Sequence, residues 1–172
     1  MKIQLSIKKI QTISFCLFSS FVGITQPGPY DNYLLKNFIR SWDPIAPVLD
    51  ANSLMTRPLK DVRTTSQYFD GLGRPIQTIV KQGSYETGGS AYDLVSANFY
   101  DYTNKELQKY LPFAANNTNG NTSLSDGDIK LNPFEQQSTF MQAQYATQNE
   151  THFYSQTDFE ASPLNRPVKS MA

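Results

Sequence analysis

The chain has 172 residues, 15 basic and 15 acidic side chains, one cysteine, 10 tyrosines and 11 phenylalanines. Zero formal charge with scattered cations argues against an electrostatic grip on nucleic acid or an anionic membrane. One cysteine excludes an intrachain disulfide framework, and the aromatic-rich composition favours β structure.

Residues 1–25 read as a secretory signal peptide. Lys2, Lys8 and Lys9 form a basic front, Ile10 to Ile24 an uncharged apolar run, and Gly23 and Thr25 a small-residue cleavage region. The run falls short of the ~20 residues a membrane span needs. Cys16 lies inside it beside bulky Phe15, which suits lipid attachment poorly, so the mature chain is expected to carry no thiol. Removal of the leader leaves 12 basic against 15 acidic residues, a net charge of −3. Export to the cell surface or medium follows as an expectation, with no stable membrane insertion and no nucleic-acid partner.

Residues 26–32 are rich in proline and glycine and read as a flexible linker, and residues 33–172 as one β-rich domain. The pattern predicts a first strand over 33–42 with Phe38 and Trp42 as core aromatics, broken by Asp43-Pro44. Residues 48–60 connect, with Leu49, Leu54 and Met55 covering an edge. A β-branched strand over 61–69 has Val62, Thr64, Ser66 and Tyr68 on one face. It turns at Asp70-Gly71-Leu72-Gly73 and returns over 74–81, with Ile76, Thr78 and Val80 on one face and Ile79 on the other. A loop over 83–89, a strand over 92–100, a turn at 101–104 and a return over 105–113 follow. The two hairpins are expected side by side, since one alone is marginal in water.

Residues 114–128 are nearly devoid of apolar side chains and read as a mobile loop. Asn132-Pro133-Phe134-Glu135 predicts a short helix near 133–147, with Asn132 as N-cap, Pro133 at its first position and Glu135 closing a capping box. Phe134, Met141 and Tyr145 share its packing face. A last strand is expected over 152–159. The chain ends where the return strand of a third hairpin would grow, and reads as the N-terminal portion of something longer.

The turns form a degenerate repeat. Tyr68, Asp70, Gly71, Gly73 and Arg74 make the first copy, Tyr100, Asp101 and Lys105 the second, and Phe159 with Glu160 and Arg166 the third. Gly71 and Gly73 suit positive φ, and Asn104 tolerates it where a glycine is replaced. Tyr68 and Arg74 flank the first turn, so the guanidinium is expected across the Tyr68 ring. Packing should outweigh the Asp–Arg ion pair, which is worth ~0–1 kcal/mol when exposed.

The stretch Tyr68-Phe69-Asp70-Gly71-Leu72-Gly73-Arg74-Pro75 resembles the YD repeat of Rhs-type proteins. Four ordered stretches of the mature chain resemble the N-terminal domain of unknown function of Rhs proteins of Bacteroidota: residues 37–44, 66–78, 109–113 and 159–167. The resemblance implies antiparallel hairpins that form an incomplete sheet or shell segment, completed by further repeats of the same polypeptide. In that family a variable C-terminal region, often a toxin, follows a core motif. Neither is present here, so no toxin activity is assigned.

No catalytic, cofactor or metal residue is expected. His152 stands alone, Asp126-Gly127-Asp128 lacks the remaining ligands of a calcium loop, and Gly71 and Gly73 precede no helix that would hold a phosphate. Asp93, Asp101 and Glu106 have no spacing that fixes a glycosidase pair. Asn116, Asn121 and Asn149 stand in glycosylation contexts that matter only in a host that uses them. Two functions compete with a hydrolase well behind: a non-enzymatic structural module, and a free-standing glycan-binding module using Tyr85, Tyr92, Tyr102 or Tyr110.

Overall fold

The computed structural model describes residues 26–30, 37–84 and 89–171. The signal-peptide segment, Cys16 and Tyr85 lie outside them. The described residues are mainly β, in two antiparallel sheets with one α-helix.

The first sheet has the order β1-β2-β3-β4-β6: β1 (Asn37–Pro44), β2 (Val62–Phe69), β3 (Pro75–Val80), β4 (Leu94–Ala97) and β6 (Phe113–Ala114). The second has the order β5-β7-β8: β5 (Gln108–Tyr110), β7 (Tyr154–Phe159) and β8 (Pro167–Met171). Asn98 bridges to Lys109, which stitches β4 to β5. Residues 108–114 therefore serve both sheets, with Leu111-Pro112 between the two pairings. Proline has no amide to donate, so the ladder changes partner there. The two early hairpins do lie side by side, as their marginal individual stability requires.

β2 follows its expected faces. Val62, Ser66 and Tyr68 point inward, and Gln77 and Ile79 of β3 oppose Tyr68 and Ser66 across the ladder. Gln77 is buried because its side-chain amide pairs in both directions with the Lys130 backbone, at 3.1 Å to the carbonyl and 2.8 Å from the amide. A polar residue whose nitrogen and oxygen each find a partner inside can occupy a core position. Val95, Phe113, Ala115, Met141 and Phe153 complete the main core with Ile76. A second cluster joins Ala97, Tyr110 and Phe134. Each fully buried ring contributes about 1.5–3 kcal/mol of transfer free energy.

Several expectations need correction. Strand β1 runs on through Asp43-Pro44, which an edge position among the described strands permits. Phe38 is about half exposed and Trp42 half-buried, so neither is a core aromatic. The 48–60 connection holds a 3-10 helix, Ala51–Thr56, capped by the Asp50 carboxylate on the Asn52 amide. Leu49 and Met55 are exposed there rather than covering an edge.

Residues 114–128 are not a loose polar loop. Ala114, Ala115 and Gly127 are buried, and side-chain amides and carboxylates satisfy the backbone that apolar residues would otherwise have to shield. Asn116 donates to the Gln136 carbonyl at 2.9 Å, and Asn121 donates to the Asn116 carbonyl at 3.0 Å.

The helix α1 (Pro133–Gln144) begins where proline predicts, but Asn132 makes no side-chain cap and the capping box does not form. Glu135 instead accepts from Asn119. Phe134 and Met141 are buried, while Tyr145 is partly exposed and stacks on Phe153. The return strand of the third hairpin is present as β8, paired with β7. Tyr30, at the end of the Pro/Gly-rich segment, is held by its hydroxyl, which donates to the carbonyls of Ile76 (2.9 Å) and Asn98 (3.2 Å).

Candidate functional site

The three repeated turns share one backbone design. The Asp70 amide donates to the Arg74 carbonyl at 3.0 Å, and the Gly73 amide to the Asp70 carbonyl at 3.0 Å. Asp101 and Lys105 repeat the first bond at 2.9 Å, and Asn104 and Asp101 the second at 3.0 Å. Glu160 and Arg166 close the third turn at 2.9 Å, over two more residues. The positive φ falls on Gly73 (78°), Asn104 (65°) and Asn165 (50°), one residue before the base in each copy. Gly71 does not adopt positive φ, so only Gly73 exploits glycine's freedom.

The acids hold the turns shut. The Asp70 carboxylate accepts from the amides of Leu72 and Arg74, both at 2.9 Å, and from Arg74 Nε at 2.7 Å. Asp101 accepts from the amides of Thr103 and Lys105 at 2.8 Å. Burial opposes ionisation of both. Hydrogen bonds to the charged form outweigh it and hold both carboxyls below their ordinary value. Glu160 is held low mainly by Arg166, with Ser162 adding a hydrogen bond. These carboxylates are committed to their own turns.

The ring beneath Arg74 is not Tyr68. The guanidinium lies 4.5 Å from the Tyr100 centroid and also donates to Asn104 Oδ1 at 2.6 Å. Lys105 Nζ in turn lies 5.4 Å from the Phe159 centroid. The base of each of the first two turns thus faces the aromatic that precedes the acid of the next turn. Phe69, Tyr100 and Phe159 are the matching aromatics. Tyr68 is a core residue, 5.4 Å from Phe38. The expectation paired side chains within one hairpin. Tyr68 is spent on the core, so the ring that Arg74 meets comes from the neighbouring hairpin.

A second cluster was not foreseen from the sequence. Lys130 and Asp93 are wholly buried and meet at 2.7 Å. The ammonium also donates to Ser123 Oγ (2.7 Å), Asp126 Oδ1 (3.1 Å) and the Asp128 carbonyl (2.7 Å). Asp93 accepts the amides of Gln82 and Gly127, both at 2.8 Å. Burial resists ionisation of Asp126, but Ser123, the Asp128 amide and Lys130 bring its carboxyl down to about 2. Asp126-Gly127-Asp128 is therefore an ordered acidic turn around an internal cation, where a mobile one was expected. A lysine placed among oxygens leaves no room there for calcium chemistry. No local periodicity announces this pair.

The remaining candidates separate. His152 is exposed and edge-on to Tyr154. Asp93 and Asp101 serve Lys130 and a turn respectively, so the imagined carboxylate pair does not assemble from free groups. Tyr102 is exposed and Tyr92 half-buried, whereas Tyr110 is a core residue against Phe134 at 4.8 Å. Burial pushes the Tyr110 hydroxyl up to about 12. Among the described residues, no group of three His, Cys, Asp or Glu side chains is placed to hold a metal ion. No helix among them is long and apolar enough to cross a membrane.

No curated protein and no solved structure matches the chain. A family defined as a domain of unknown function, DUF6443, matches residues 40–172, which takes in all three turns and the Asp93–Lys130 pair. With three quarters of its length matched, the chain belongs to the DUF6443 family.

Proposed function

We propose that this chain is a non-catalytic structural module, the N-terminal part of an exported Rhs-type protein whose YD-like hairpins open a larger β shell. The remaining strands of that shell come from further repeats of the same polypeptide. The observation that carries the reading is the relay of bases onto rings, Arg74 to Tyr100 and Lys105 to Phe159. Such contacts join hairpin to hairpin and leave the acids bonded within their own turns, an arrangement suited to building and not to turnover. Arg166 is paired with Glu160 at 3.0 Å as Arg74 is with Asp70, and its side chain is 69% exposed. It is the base to which a following aromatic would be added, and every residue of β8 is exposed beside it.

Hydrogen exchange tests this reading. Alone, the chain should exchange the β8 amides that face away from β7 as fast as a frayed edge. In the longer polypeptide the same amides should be protected. A monomeric chain whose β8 amides are all protected without any added strand refutes the proposal.

A further inference from the structure

A cavity of about 410 Å³ lies over the ends of β1 and β2, away from the hairpin corners. Trp42, the only tryptophan of the chain, forms one wall. Arg40, Arg57 and Lys81 converge on it. Arg40 is occupied: it donates to Ser66, the Gly127 carbonyl and Asp128. Arg57 and Lys81 differ. Among the described residues neither forms an ion pair, and Arg57 has one long bond, Nε to Ser53 Oγ at 3.4 Å. The cavity's one carboxylate, Asp126, is already engaged by Lys130. Two cations therefore line this space without an ion-pair partner among the described residues.

The rest of the lining narrows the ligand. Trp42, Thr64 and Gln82 also line the cavity, and their side chains make no hydrogen bond within the described residues. A ring wall beside unpaired small polar groups suits a molecule with an apolar face and several hydroxyls. The free cations add a requirement for negative charge. A bare inorganic anion would use the cations and leave the indole and the amide idle. A fatty or aromatic acid would strand the polar groups.

We propose that this cavity binds an acidic saccharide, with its carboxylate held between Arg57 and Lys81 and the apolar face of its sugar ring laid on Trp42. The site is separate from the turn corners and does not depend on the shell reading.

The lone tryptophan is its own reporter. Digalacturonate titrated into the full chain should change Trp42 emission saturably, and neutral galactobiose should not. Arg57→Gln and Lys81→Gln should each weaken the uronate by about tenfold, as loss of one charge-assisted contact implies. Arg57 is exposed, so its replacement leaves the core intact, and an unchanged melting temperature verifies that. Absence of a saturable change up to about 10 mM uronate overturns the proposal. So does wild-type affinity in both variants. Inorganic phosphate that binds as tightly as the uronate also overturns it, since the sugar ring then contributes nothing.

Discussion

Replacing Lys130 by methionine should be among the most damaging single changes in this chain. The ammonium has four oxygen acceptors within 3.1 Å, and both it and Asp93 are fully buried. Methionine fills a similar volume but leaves the Asp93 carboxylate without its cation. Removing one partner of a buried pair costs about 3–5 kcal/mol. Asp93 keeps the Gln82 and Gly127 amides, which places the expected loss near the lower end, about 3 kcal/mol. That is a large share of a typical total of about 5–15 kcal/mol. With a urea slope of about 2 kcal/mol per molar, the midpoint should fall by about 1.5 M. Urea titration followed by far-UV circular dichroism measures it. Asp93→Leu combined with Lys130→Met should cost less than the two single losses added together, by about 2 kcal/mol. A Lys130→Met loss below about 1 kcal/mol, or strict additivity, would refute the argument.

Arg74→Ala should destabilise by about 1–2 kcal/mol, and a cycle with Tyr100→Leu should show coupling of about 0.5–1 kcal/mol. The same cycle with Tyr68→Leu should show none, because that ring is not beneath the guanidinium. Gly73→Ala should cost about 1 kcal/mol in thermal melts through its positive φ, while Gly71→Ala should be close to neutral. Acid should unfold the chain in a defined window. Asp126 titrates lower when folded, so its contribution is complete above the ordinary value of 3.8 and lost as pH falls toward about 2. Asp70 and Asp101 shift in the same direction and add to the slope. Urea midpoints measured from pH 5 downward should decline, and Asp126→Asn should flatten the decline.

What the sequence discloses here is what short-range chemistry decides. Asp70-Gly71-Leu72-Gly73-Arg74 and Asp101 to Lys105 reveal their turns because five consecutive residues make all the bonds involved. The helix start is visible at Pro133 for the same reason. Contacts set by distant segments are not disclosed. Arg74 meets Tyr100 only once two hairpins are laid together, and Lys130 meets Asp93 only after the 122–130 segment folds onto β4. The 114–128 segment looked mobile because its stabilising partners, Gln136 and Lys130, lie downstream of it. Nothing near Gln77 in the chain foretells its pairing with the Lys130 backbone. Composition and strand periodicity reach the architecture and stop short of the polar core.

The strand that changes partners at Leu111-Pro112 gives the molecule a shared ruler. A one-residue slip of Phe113 against Val95 would have to travel through Tyr110 and Gln108 into their pairing with Tyr154 and Gln156. That slip would turn Tyr110 out of its nest beside Phe134 and expose it to water. Misalignment on one side is thus punished on the other, and neither sheet is free to choose its alignment alone.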